Sequence, residues 1–205
     1  MKKVLLTAIA VFAFGFANAQ EDNAGFSKSD TFVTGSVGFN SQKTGDLKTN
    51  GFTFTPKVGY FVTENIAVGV GLGITTSKTD RPFAGIDERK TTVFSAEVFG
   101  RYYMSPASKF SLFGELAVGF GNTKIKDITS TPLGSLSTES KNNGFNVGFA
   151  PGVNYFIAKN FALEATFGVL SYNSSKPDVD GAESTNKFDI GLKMSDIKLG
   201  LVYKF

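Results

Sequence analysis

Cysteine, histidine and tryptophan are all missing from these 205 residues. Each absence excludes a class of chemistry. Without Cys or His a structural zinc site lacks its usual donors. No disulfide can staple a core in an oxidising compartment. Neither a Ser-His-Asp triad nor a Cys-His pair can be assembled, so no enzymatic activity, no catalytic residue, no metal and no cofactor are expected. A long hydrophobic run is missing too. The most apolar stretch, Val4–Phe16, falls short of the about 20 residues a helix needs to cross a bilayer.

That stretch follows Met1-Lys2-Lys3 and ends in Ala17-Asn18-Ala19. A basic start, a short apolar centre and an A-x-A end form an export signal, with cleavage expected after Ala19. Gln20 would follow, and no cysteine is present there for lipid attachment. The expected division is a signal peptide over 1–19, a short N-terminal segment over 20–31 and a single β domain over 32–205. The chain has 21 Lys+Arg against 18 Asp+Glu, and losing Lys2 and Lys3 with the leader leaves 19 against 18. A basic pI therefore gives no ground for a nucleic-acid partner.

Phenylalanine and glycine are abundant, at 22 and 23 residues. Their arrangement is informative in the stretch "IAVGVGLGITTSK", Ile66 to Lys78. Its glycines and Ser/Thr/Lys tail suggest a phosphate loop, but no Gly-Lys pair and no full G-x-G-x-x-G occurs in it. Bulky Ile66, Val68, Val70, Leu72 and Ile74 instead alternate with Ala67, Gly69, Gly71 and Gly73. A period of two is a strand pattern. It recurs in seven further segments, around Val33–Phe39, Phe52–Tyr60, Phe94–Tyr102, Phe110–Phe120, Phe145–Tyr155, Phe161–Val169 and Ile197–Phe205. Ile190, Leu192 and Met194 are out of phase with Ile197, Leu199 and Leu201, which predicts a bulge near Ser195-Asp196. Pro56 and Pro151 lie inside strand patterns and predict bulges or weakened pairing there.

Connections alternate in length. Thr63–Asn65, Ser105–Ser108 and Ala158–Asn160 are tight. Asn40–Asn50, Ser77–Lys90, Asn122–Asn142 and Asn173–Lys187 read as longer polar loops. Eight strands joined in this way are antiparallel neighbours, with every long loop at one end. "YFVTENIAV" at Tyr60 and "YFIAKNFAL" at Tyr155 look like two copies of one turn solution.

The face opposite the bulky residues carries Gly, Ala, Ser, Thr and Asn with isolated charges. Small residues suit the crowded interior of a narrow barrel, and Phe and large aliphatics suit contact with hydrocarbon. Tyr60, Tyr102, Tyr155 and Tyr203, with Tyr103, lie near the tight turns or the C-terminus, as an aromatic girdle at one membrane interface would. The predicted fold class is all-β, an eight-stranded antiparallel up-and-down transmembrane β-barrel.

With the export signal, the strand count, the loop alternation and the ending Leu199-Gly200-Leu201-Val202-Tyr203-Lys204-Phe205, the chain resembles the small eight-stranded OmpA/OmpX-like outer-membrane barrels of Gram-negative envelopes. The resemblance covers nearly all of the chain after the leader. It implies residence in the cell outer membrane and contact with its lipid and lipopolysaccharide. It also implies that Leu199, Leu201, Tyr203 and Phe205 are the signal read by the barrel-assembly machinery. Full OmpA-type proteins continue into a peptidoglycan-binding domain, which is not expected here, and a monomer is. The barrel proteases, lipases and deacylases of that membrane use a His, which this chain lacks.

The inward charges expected are Lys57, Glu97, Arg101, Glu115, Glu164 and Lys198. Buried charge is costly unless paired. Arg101 is expected near both Glu97 and Glu115, and Glu164 near Lys198. A side-chain network filling the interior makes the protein a structural or surface-interaction component. The alternatives are a small porin-like channel for ions or small solutes, and a secreted soluble lipid-binding barrel.

Overall fold

The computed structural model describes residues 24–83, 85–132, 134–179, 181–191 and 197–205. Ten β segments follow one another: β1 (Thr31–Thr44), β2 (Leu47–Phe61), β3 (Ile66–Phe83), β4 (Ile86–Tyr103), β5 (Phe110–Thr131), β6 (Gly134–Phe156), β7 (Phe161–Phe167), β8 (Leu170–Pro177), β9 (Thr185–Ile190) and β10 (Ile197–Lys204). All described pairings are antiparallel. Consecutive strands pair from β1 to β7, β7 pairs with β10, and β10 returns to β1 through Phe32↔Lys204 to Ser36↔Gly200. β8 continues the line of β7 along β6 and carries β9 on its other edge. The result is a closed ring of eight strand positions, the predicted architecture.

The alternation places the residues as expected. Val70, Leu72, Val98, Leu116 and Phe120 point outward and are exposed. The glycines face inward for a reason that only the register reveals. Phe32 lies directly opposite Gly59, Phe99 opposite Gly69 and Phe113 opposite Gly152. A Cβ on any of these three glycines would overlap the ring facing it. Each inward phenylalanine therefore lies flat over the bare backbone of the next strand, a known device for covering strand glycines.

Both strand prolines disturb their ladders. Pairing of β2 with β3 stops at Phe54↔Ile74 and resumes at Lys57↔Gly71, skipping Thr55 and Pro56. Along β6, Phe149 faces Leu170 whereas Gly152 faces Thr166. Two residues of β6, Ala150 and Pro151, thus lie opposite three of the neighbouring strand, Phe167 to Val169, which is a β-bulge. The bulge expected near Ser195-Asp196 lies outside the described residues.

The similar turns are one solution used twice. Val62 and Thr63 donate to the carbonyl of Ile66, and Ile157 and Ala158 donate to that of Phe161. In the first, Asn65 Nδ2 donates to the Tyr103 carbonyl at 2.8 Å, and in the second Asn160 Nδ2 donates to the Lys204 carbonyl at 2.6 Å. Each Asn ties its turn to the end of the adjacent strand.

Three of the segments read as long polar loops are largely strand. β1 pairs with β2 as far as Thr44↔Leu47, β3 with β4 as far as Phe83↔Ile86, and β5 with β6 as far as Thr131↔Gly134. These hairpins extend well past the outward apolar band. In the fourth, Asn173–Pro177 and Thr185–Lys187 are strand as well. Polar residues on both faces hide the alternation, because both faces meet water there, while the backbone ladder continues regardless.

The charged interior as candidate functional site

Five of the six expected inward charges meet inside the ring. Arg101 is 2 % exposed and lies at the centre. Its Nε donates to Glu115 Oε2 at 2.6 Å, its Nη1 to Glu164 Oε2 at 2.6 Å and its Nη2 to Glu164 Oε1 at 3.0 Å. The bond pair to Glu164 is the bidentate fork that suits guanidinium and carboxylate. Nη1 also donates to the Tyr103 hydroxyl at 3.1 Å. The guanidinium carbon sits 4.5 Å from the ring centre of Phe113 and 5.2 Å from that of Phe99, so the cation is also held between aromatic faces. Thr34 donates its hydroxyl to Glu164 Oε1 at 3.3 Å. Lys57 Nζ completes the layer, 2.7 Å from Glu115 Oε1 and 2.5 Å from Glu97 Oε1. The Lys57–Glu97 contact is a charge contact whose angle falls outside hydrogen-bond geometry.

Two expected pairings differ. Glu97 pairs with Lys57 and not with Arg101. The two lie four residues apart on β4, about 13 Å at the strand rise, and only Arg101 is level with Glu115. Glu164 pairs with Arg101 and not with Lys198. Gly200 sits opposite Glu164, and Lys198 is one inward step higher, opposite Thr166. Lys198 is exposed, lines the cavity above the layer and makes no ion pair among the described residues. That cavity has a volume of about 460 Å³, with Ser36, Thr55, Ser95 and Lys187 in its wall and Lys57, Glu97, Arg101, Glu115 and Glu164 at one end.

Below the charged layer is an aromatic one. Phe32, Phe61, Tyr103, Phe113 and Phe156 are buried there, with Val202 and Ala162. Tyr103 is a correction: grouped with the girdle from its position, it is fully buried, while Tyr60, Tyr102, Tyr155 and Tyr203 are exposed on the outer face. Adjacent strand residues face opposite ways, so Tyr102 and Tyr103 could not both be outside.

Two members of the site were missed. Phe26 is 1 % exposed, with its ring centre 4.7–5.4 Å from those of Phe61, Phe156, Phe32 and Tyr103. It enters the barrel end from the segment before β1, held by Phe26 N–H donating to the Pro106 carbonyl at 2.7 Å. Gly25, at φ +138°, turns the chain in, and a Cβ there would strike the Ala107 backbone. Lys204 donates from Nζ to the Gly25 carbonyl at 2.6 Å and reaches Asp30 at 3.6 Å. No periodicity marks a lone Phe in a polar segment; the inward parity of Lys204, next to the terminal Phe205, was the available signal. Phe205 itself is exposed and meets the Tyr203 ring edge-on at 4.8 Å.

The extended hairpins carry their own ion pairs. Arg89 donates from Nε and Nη2 to both oxygens of Asp127 at 2.6 and 2.7 Å. Glu88 contacts Lys78 and Lys90. Hydrogen bonds from Arg89 hold Asp127 below its ordinary carboxylate value of 3.8, and those from Lys78 and Lys90 hold Glu88 below 4.5. Depressed carboxylates stabilise the fold above their ordinary values, and lose that contribution as pH falls through the depressed ones. Amide exchange at the outer ends of β4 and β5 is therefore expected to stay protected from about pH 7 to 5 and to lose protection below about pH 4. Protection unchanged at lower pH would show that these pairs add nothing.

A closed, antiparallel eight-stranded ring with an apolar outer band and a charged interior defines a small membrane-spanning β-barrel. The chain belongs to the family of the outer membrane protein beta-barrel domain, whose model matches residues 5–205. The solved structures it resembles include the outer membrane protein OprG from Pseudomonas aeruginosa, at 14% identity and a TM-score of 0.55, covering 90% of this chain and 99% of that one. Others are a major outer membrane protein from Thermus thermophilus, at 13% identity, TM-score 0.47 and coverage of 86% and 99%, and the E. coli outer membrane protein W, at 14%, 0.43, 87% and 99%. No curated protein matches the sequence. The signal peptide and its cleavage after Ala19 lie outside the described residues.

Proposed function

We propose that this protein is a non-enzymatic, non-conducting component of the outer membrane whose interior is closed by side chains and whose work is structural or at the cell surface. The observation that carries the reading is Arg101, fully buried and joined at once to Glu115 on β5 and Glu164 on β7. Three walls of the ring are thereby cross-linked through one side chain. An eight-stranded barrel encloses only enough space for side chains to fill, and the aromatic layer with Phe26 closes the same end a second time. In this reading an export signal ending at Ala19 delivers the chain, and the alternating apolar end at Leu199, Leu201, Tyr203 and Phe205 serves assembly.

The channel is the second reading, favoured by the cavity of about 460 Å³ above the charged layer. Conductance decides between them. Purified, refolded protein in planar bilayers is expected to give no steady openings. A stable, ion-selective wild-type conductance in porin-free preparations would overturn the closed barrel and promote the channel.

A further inference from the structure

The segment before β1 is fastened at several points, whereas a chain end next to a domain is usually loose unless tied down. Its main chain bonds to two separate parts of the ring. Phe26 N–H donates to the Pro106 carbonyl in the turn between β4 and β5, at 2.7 Å. Ser29 N–H donates to the Phe61 carbonyl at the end of β2, at 2.9 Å, and Phe61 N–H returns a bond to the Asp30 carbonyl at 2.9 Å. Within the segment, Asp30 Oδ2 accepts from Ser27 N–H at 2.8 Å. Ser29 turns the chain at φ +74°, in the left-handed region that few non-glycine residues adopt.

These ties depend on the closed ring. The four rings around Phe26 come from β1, β2, β4 and β6, as Phe32, Phe61, Tyr103 and Phe156. β2 and β6 stand opposite each other in the ring of eight positions, so the pocket for Phe26 is complete only when the walls have met. A further tie crosses the seam between the first and last strands. Lys204, at the end of β10, is 9% exposed. Its Nζ donates to the Gly25 carbonyl, 179 positions away in sequence, at 2.6 Å and lies 3.6 Å from Asp30. The backbone of the same residue forms the end of the seam, through Phe32↔Lys204. The segment runs directly into β1, so this one side chain joins both sides of the seam from within. Opening the seam carries the ammonium away from Gly25.

We infer that residues 24–30 are a latch on this seam: the segment docks after β10 has closed on β1, and then holds the ring against reopening. A pocket drawn from five strands of distant sequence forms only after the entropy of closing those loops has been met. Contacts made after the rate-limiting step leave the folding rate unchanged and slow unfolding alone. The latch therefore gives the barrel a long lifetime and not a fast assembly, which is stability of the kinetic kind. It acts at the short-turn end, and it requires a closed ring but not an interior sealed to ions, so the conductance result does not bear on it.

The test follows purified protein folding into phospholipid vesicles. Ring closure is read from the shift in electrophoretic mobility. Docking of the latch is read from loss of trypsin cleavage after Lys28, which is exposed, with the released N-terminal peptide detected by mass spectrometry. In the wild type, protection at Lys28 is expected to appear only after the mobility shift. Protection that precedes the shift, or never appears, overturns the latch. In urea, Phe26→Ala is expected to unfold about a hundredfold faster, with a folding rate within about twofold of wild type. Lys204→Met keeps the apolar stem and removes the donor, and is expected to unfold about tenfold faster, again without slower folding. Unfolding rates equal to wild type, or folding slowed as much as unfolding is accelerated, would overturn the inference. If Phe26→Ala does not fold, the order of the two events in the wild type and the rates of Lys204→Met decide.

Discussion

Arg101→Ala is expected to destabilise the folded barrel by about 3–5 kcal/mol, the cost of leaving buried charge without its partner. Glu115 and Glu164 are both nearly inaccessible. Glu115 would keep Lys57 at 2.7 Å, but Glu164 would keep only polar neighbours such as Thr34. The ring contacts of the guanidinium with Phe99 and Phe113 would go too. Urea unfolding in lipid vesicles, followed by the shift between folded and unfolded electrophoretic mobility, measures the loss. Substituting Glu164→Leu in the Arg101→Met background should recover part of it, because an apolar replacement removes the unpaired charge. A loss below about 1 kcal/mol for Arg101→Ala, in the range of exposed pairs, would show that the network contributes little to holding the walls together.

Val70→Arg is expected to cost about 2–4 kcal/mol, the penalty for a cation on the lipid face near the bilayer midplane. Val70 is 57% exposed and lies between Val58 and Val98 in register, with Val118 and Val147 continuing the row. An unbroken row of valines across five strands offers the arginine no partner. Thr53→Arg supplies the contrast. Thr53 faces inward, its hydroxyl 3.1 Å from that of Thr75, in the more polar upper interior. Membrane-integrated yield should fall sharply for Val70→Arg and much less for Thr53→Arg. Equal yields for the two would contradict the assignment of the outer face.

Much of the site was legible one strand at a time. The inward parity of Lys57, Glu97, Arg101, Glu115 and Glu164 follows from the period-two pattern, because a strand residue flips face with every step. Their partners did not follow. Pairing depends on which residues stand level across strands. A shift of two residues moves a side chain about 7 Å up the wall without changing its face. Arg101 therefore reached Glu164, 63 positions away, while Lys198, of the correct face, stood a step too high.

The alternation of bulky and small residues by itself determined the strand count, the two faces, the antiparallel order and the membrane class, since each is a local consequence of burial in lipid on one side. Tertiary structure decided the rest. Closure of β10 onto β1 brought Lys204 beneath the N-terminal segment. That segment seated Phe26 among four rings from distant strands, a contact no local pattern encodes because nothing repeats within it. The polar hairpin ends are strand only because their backbone ladders continue from the wall below. Main-chain hydrogen bonding there is indifferent to the side chains that hid it.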